Sequence, residues 1–284
     1  MKNKDITIIT INYNNLLGLK KTMQSVFDQT YKDVEYVIID GGSTDGSKEY
    51  ILDNAEKLAY WVSEPDNGIY NAMNKGIAKA TGEYLLFLNS GDFLCDNYVL
   101  SKFSLELKDA DIYYGNLIKV RQNGSFLKSK GPDAEKITIL TFITGSLNHP
   151  SSFIKRNLFE KYGFYDESLK IVSDWKFFLI VLGMNNSVIK YLNIDVSFFD
   201  MTGISNSNFD LINIERKKVL LEKVPKPILS DCFKLIEIQN KYNSSRGKMF
   251  LKLETHFFAR KINNVMFKVI LKAYGIYERF NKNI

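Results

Sequence analysis

The chain has 284 residues, 45% hydrophobic and 25% charged, with a net charge of +6 and two cysteines, Cys95 and Cys232. This is the profile of a globular protein with one large domain and an appendage, and it excludes a disulfide framework. The Lys- and Asn-rich start "MKNKDITIITINYNN" has no apolar signal core, and the longest uncharged apolar run, "FFLIVLGM" at 177–184, falls far short of the roughly 20 residues that span a bilayer, so the cytoplasm is expected.

Four runs rich in branched and aromatic residues, "ITIITIN" (6–12), "VEYVIID" (34–40), "AYWVSE" (59–64) and "YLLFLN" (84–89), start 28, 25 and 25 residues apart. Between them lie amphipathic helical patterns over 16–27, 47–58 and 68–82, the last with Gly82 as its expected C-terminal cap. Near-continuous apolar strands alternating with such helices predict βαβ units and an α/β fold with a mainly parallel sheet covered on both faces. Ligands bind such sheets at the carboxyl ends of the strands, here "TINYNN", "DGGSTDGS", "SEPDNG" and "NSGD". Beyond residue 95 the alternation decays: "DIYYGNLIKV" is followed by an irregular stretch over 121–152. A short helix, a turn around 163–166, a helix from about 174 and a late edge strand within 191–206 come next, and the chain is helical from 207.

Asp40, Asp66 and Asp92 fall at strand ends, and Gly41 and Gly42 let the backbone approach a ligand closely. "DGGSTDGS" reads either as a ligand loop or as a tight loop capping the next helix, and it is neither a dinucleotide fingerprint nor a P-loop. Acids converging on one sheet edge repel a bare diphosphate unless a divalent cation mediates, and Mg²⁺ or Mn²⁺ needs only one or two carboxylates beside phosphate oxygens and water.

The series "TIITINYNN", "VIIDGGSTDGS" and "SEPDNGIYNAMNKGIAKATGEYLLFLNSGD" resembles the family 2 glycosyltransferases of the GT-A fold, specifically bacterial surface-polysaccharide enzymes, over roughly residues 5–200. The resemblance implies a nucleotide-diphospho-sugar transferase fold over residues 1–206, with a nucleotide-binding half at 1–95 and an acceptor half at 96–206, followed by a basic amphipathic helical extension at 207–284. It implies that Thr10, Asn12, Tyr13, Asn14 and Asp40, with Gly41 and Gly42, hold the nucleoside, and that Asp66, Asn74, Lys75, Ser90 and Gly91 line the nucleotide cleft. Asp92 would bind the Mn²⁺ or Mg²⁺ that bridges the diphosphate, with His149 as a metal or phosphate ligand. Asn89 and Gly91 stand where many relatives have aspartates. Asp174 is implied as the catalytic base, against the alternative of a plain helix cap. Asp166 is expected to be a turn residue.

The function implied is inverting, metal-dependent transfer of a sugar from a nucleoside diphosphate to a glycan or lipid-linked acceptor in capsule, exopolysaccharide or lipopolysaccharide synthesis. The alternatives are a sugar-phosphate nucleotidyltransferase and a non-catalytic sugar-nucleotide-binding or membrane-scaffold protein.

Charge separates the tail from the body. Residues 241–284 carry ten Lys/Arg against two acids, whereas the first 240 residues are net −2. Within 246–280 apolar residues recur at three- and four-residue spacings between the basic ones, as in a helix packed on the protein or on a partner chain of a homo-oligomer, or in an interfacial helix at an anionic inner membrane face. Nucleic acid is not expected as a partner, because the acidic body would face the same polyanion.

Overall fold

A computed structural model describes residues 5–121, 123–201 and 208–274. The chain divides into two compact units, Met1–Leu220 and Leu221–Ile284. Four parallel strands with helices between them open the first unit: β1 (Ile6–Asn12), α1 (Leu16–Phe27), β2 (Val34–Asp40), α2 (Ser47–Asp53), β3 (Tyr60–Ser63), α3 (Ile69–Lys79) and β4 (Tyr84–Phe87). Then follow β5 (Phe93–Leu94), α4 (Val99–Ser104), β6 (Ile112–Val120), β7 (Phe126–Ser129), α5 (Ile139–Thr144), β8 (Ser152–Lys155), α6 (Asn157–Tyr162), α7 (Ser173–Phe178), β9 (Ile189–Asp200) and α8 (Phe209–Lys223). The division between the units falls inside α8.

The sheet runs β3-β2-β1-β4-β8-β6-β9-β5, with β7 paired to β6. β3, β2, β1 and β4 are parallel, β8 is antiparallel to both β4 and β6, and β9 runs parallel to β6 and antiparallel to β5. The fold is therefore α/β with helices on both faces of a mixed sheet. Every residue of β1 is buried, as a strand covered on both sides requires. Its even-numbered side chains Ile6 and Ile8 join Tyr36, Ile38, Tyr84 and Leu86 in one core layer, where Phe103 stacks on Phe153 with ring centroids 3.8 Å apart. On the other face α3 lies so close that a Cβ on Gly76 would come 2.5 Å from Ile9 Cγ2.

Three expectations are corrected. The stretch expected to be irregular, 121–152, holds β7 and α5 and runs into β8 ("SFIK"), and β9 is flanked by β6 and β5 rather than lying at an open edge. Gly82 does not cap α3. Ala80 closes that helix, and Gly82 is needed because a Cβ there would lie 2.7 Å from the backbone nitrogen of Thr7.

Register aligns the strand ends. Asn12 pairs with Asp40, and Asp40 with Ser63, so the loops after β1, β2 and β3 open side by side on one edge. The second unit contains α9 (Lys226–Asn243), α10 (Ser245–Glu254) and α11 (Phe257–Ala273). No helix among the described residues is long and apolar enough to cross a membrane.

Candidate active site

Asn12 ties three of the strand ends together. Its Nδ2 donates to Asp40 Oδ1 (2.7 Å) and Ser43 Oγ (3.2 Å), and its Oδ1 accepts from Ser90 Oγ (2.6 Å). Asp40 is fully buried and receives four donors: the amide of Asn12, the backbone N–H of Ser43, and the hydroxyls of Ser43 and Ser63. Burial opposes ionisation of this carboxyl, but the hydroxyls of Ser43 and Ser63, the Asn12 amide and the Ser43 N–H together hold its pKa below the usual range. Asp40 is thus a fixed anion around which the 41–44 loop is wound.

That loop meets its neighbours closely. Asn14, at φ 46, donates its N–H to Ser43 Oγ and accepts from the Thr44 N–H through its side chain. A Cβ on Gly41 would lie 2.6 Å from Asp66 Oδ2 and 3.2 Å from Tyr13 Cδ2. The exposed ring of Tyr13 and the carboxylate of Asp66 therefore pack against the backbone of Gly41. Thr10 is elsewhere: its side chain is buried against Tyr36 at 3.0 Å.

The 89–92 turn is bolted to α1. Asn15 caps that helix by accepting from Gly18 N–H and donates to the Ser90 carbonyl, while Thr22 Oγ1 donates to the Asp92 carbonyl at 2.6 Å. Gly91 adopts φ 108, a conformation that favours glycine. Asp92 is only 3% exposed. Its carboxylate faces the end of β9, where Oδ1 accepts the backbone N–H of Asp200 at 3.1 Å and Oδ2 is buried with no hydrogen-bond partner among the described residues. Burial drives the Asp92 pKa up to about 7; the Asp200 N–H opposes this and the Asp200 carboxylate reinforces it. Asp200 lies over the turn, its Oδ2 3.5 Å from where a Cβ on Gly91 would sit. A carboxylate open to the cleft is what the sequence predicts; the structure instead seats it beneath β9, joined to Asp40 through Ser90 and Asn12.

The second half of the site is built on α3 and α7. Asn74 clamps the 165–167 segment, donating to the Tyr165 carbonyl and Glu167 Oε1 and accepting the Tyr165 N–H. Tyr70 donates its hydroxyl to Asp174 Oδ1 at 2.9 Å. Burial and the neighbouring Asp174 charge push the tyrosine pKa well up, so it stays a donor. Lys75 is paired to Glu64 at 2.6 Å, and Lys176 to Asp166 at 2.5 Å. Asp166 also accepts from Ser168 N–H and Oγ; despite partial burial, Lys176 and Ser168 bring its pKa down to about 2. His149 stacks on Phe87 at 4.8 Å and shares a 2.7 Å hydrogen bond between Nε2 and the Tyr165 hydroxyl. Burial lowers its pKa, against the pull of Asp174. Among the described residues no group of three or more His, Cys, Asp or Glu is arranged around a common metal position.

Sequence reasoning did not single out Ser63, Tyr70, Asp200, Glu215 or Arg216. Ser63 could have been found from strand register and Tyr70 from its place in the first turn of α3. The others depend on pairings more than 40 residues apart that leave no local pattern.

The family model described as Glycosyl transferase family 2 matches residues 7–163, more than half of the chain. The chain belongs to glycosyltransferase family 2. This family 2 glycosyltransferase is 34% identical over 196 residues to an uncharacterized glycosyltransferase of Mycobacterium tuberculosis, covering 61% of this chain and 67% of that one. It is 29% identical over 215 residues to a PGL/p-HBAD biosynthesis glycosyltransferase of Mycobacterium bovis, covering 72% and 80%. Its fold matches that of S. aureus TarS in complex with UDP-GlcNAc, with a TM-score of 0.63 at 18% identity over 85% of this chain and 73% of that chain. It also matches a mannosyltransferase from Pyrobaculum calidifontis in complex with GDP-Man and Mn²⁺, with a TM-score of 0.56 at 14% identity over 96% and 86%. The GT-A architecture is shared with both. Membership of this family favours glycosyl transfer over the nucleotidyltransferase alternative.

Proposed function

We propose that this glycosyltransferase moves a sugar, with inversion, from a nucleoside diphosphate to a hydroxyl of a glycan or lipid-linked acceptor in bacterial surface-polysaccharide synthesis, and that it does so with Mn²⁺ or Mg²⁺. The observation that carries the reading is Asp92 Oδ2, a buried carboxylate oxygen without a donor among the described residues, in a turn hydrogen-bonded to the nucleotide-side loops. A buried acceptor of this kind is costly unless a cation meets it. The site therefore fits a divalent ion held by Asp92 and substrate phosphates, and when bound that ion offsets charge on the leaving diphosphate. His149 is left out of this ligand set, because Tyr165 occupies its Nε2 and aromatic rings pack around it.

The surface made by Tyr13, Gly41 and Asp66 takes the nucleoside, with Asp40 shaping the loop beneath it rather than touching the base directly. Asp174 is the base. Tyr70 holds Oδ1, which leaves Oδ2 to receive the acceptor's hydroxyl proton as the acceptor oxygen bonds to the anomeric carbon and the diphosphate departs with the electron pair. Thermal-shift screening against UDP- and GDP-sugars tests the reading. One nucleotide class is expected to raise the melting temperature by about 5 °C or more at saturating donor, only with Mn²⁺ or Mg²⁺ present. No shift with any donor would refute it.

In the second unit, α11 carries Arg260, Lys261, Lys268 and Lys272, no acid, and no buried residue. Phe258, Ile262, Val265 and Val269 are all more than half exposed. An apolar face edged by cations suits the surface of an anionic bilayer, whereas pairing with a second copy would bring like charges together. The enzyme is expected to float with vesicles of phosphatidylglycerol and phosphatidylcholine, and to lose at least about tenfold in binding when Val265 and Val269 are replaced by Asp. Equal flotation with pure phosphatidylcholine, or none with either, would overturn this assignment.

A further inference from the structure

α8 sets two adjacent charged residues against the α7 side of the site. Glu215 is buried and accepts the backbone N–H groups of Lys170 (2.8 Å) and Ile171 (3.1 Å), fixing the loop that leads into Asp174. Arg216 lies with its guanidinium 5.0 Å over the ring of Trp175. Trp175 is an immobile platform, buried and donating its indole N–H to the carbonyls of Phe142 and Gly145. The Nε of Arg216 is buried and meets no acceptor among the described residues. Burial lowers the guanidinium pKa while the Asp174 carboxylate opposes that, so the two groups are within electrostatic reach, yet no ion pair joins them among the described residues.

The nearby lysines are already neutralised, Lys75 by Glu64 and Lys176 by Asp166. Arg216, in electrostatic reach of Asp174, has no carboxylate partner among the described residues and keeps donors to spend. A partly buried guanidinium without a carboxylate partner is an uncompensated charge, and its planar fork matches the oxygens of a phosphate. Stacking on a fixed indole orients that fork before any ligand arrives.

We propose that Arg216 anchors a phosphate group of the substrate that binds at Asp174, donating from its fork to a non-bridging phosphate oxygen. This rests on the glycosyl-transfer reading. Two sources offer that chemistry, the donor's diphosphate and a phosphate linking the acceptor to a lipid carrier.

The test is calorimetric titration of the full chain, in Mn²⁺, with UDP, GDP and farnesyl phosphate, using uridine, guanosine and farnesol as phosphate-free controls. Arg216→Met is expected to weaken one phosphate probe by about 10- to 100-fold and leave its control unchanged, with Arg216→Lys between the two. Loss confined to UDP or GDP assigns the anchor to the donor, and loss confined to farnesyl phosphate assigns it to the acceptor. Near-UV circular dichroism checks folding, and Arg216→Lys carries the comparison if the methionine variant does not fold. Wild-type binding of a phosphate probe that Arg216→Met retains within twofold overturns this inference alone. A wild type that binds none of the three overturns it together with the glycosyl-transfer reading.

Discussion

Asp92→Asn is expected to abolish sugar transfer and, in the absence of ligands, to make the protein more stable at pH 8. The carboxyl is moved from an ordinary 3.8 to about 7 in the folded chain, so between those values the native state holds a proton that the unfolded state has released. Stability then falls as pH rises through that window, by up to about 4 kcal/mol for a shift of this size. Asparagine removes the ionisation and can still accept the Asp200 N–H at Oδ1. It brings a new amide donor that needs a partner, so a net gain of about 1–3 kcal/mol at pH 8 is expected, shrinking as pH falls from about 7 towards 3.8. Turnover should drop by about 10³-fold or more, because the oxygen proposed to meet the cation is gone. Urea unfolding across pH and a donor-turnover assay read the two effects. A variant that is destabilised at pH 8 by a few kcal/mol, or that turns over within tenfold of wild type, contradicts the role given to Asp92.

The second large effect separates chemistry from donor binding. Asp174→Asn keeps an acceptor for the Tyr70 hydroxyl and removes the proton acceptor, so transfer should fall by about 10²–10⁴-fold while the donor Kd changes less than about threefold. Single-turnover measurements at saturating donor, paired with donor titration, check this. Equal losses in binding and turnover would instead make Asp174 a residue that shapes the donor site.

The parallel half of the fold was legible because β1, β2 and β4 are covered on both faces and therefore spell continuous apolar runs. β8 was not: "SFIK" is four residues long and directly follows the His149–Ser151 turn, and only pairing to β4 and β6 makes it a strand. β5 is two residues long and is held by β9 across more than 100 positions. The same distance explains the site. Asp40, Asp66 and Asp92 stand out as acids at strand ends, but whether a carboxylate is satisfied depends on Ser63, Asn12 and Asp200, which local pattern does not connect to it. Thus Asp40 turns out to be saturated with donors and Asp92 half-empty. Glu215 and Arg216 escaped notice because adjacent charges on a helix ordinarily face water, and here both turn inward onto the α7 side.

Manganese electron paramagnetic resonance, following free Mn²⁺ as UDP or GDP is added, asks most directly whether a cation seats at Asp92. The prediction is that wild type takes up one Mn²⁺ in the presence of the nucleotide it binds and that Asp92→Asn takes up none beyond what the nucleotide holds free in solution. Equal uptake by both proteins would show that the cation, if used at all, is held elsewhere.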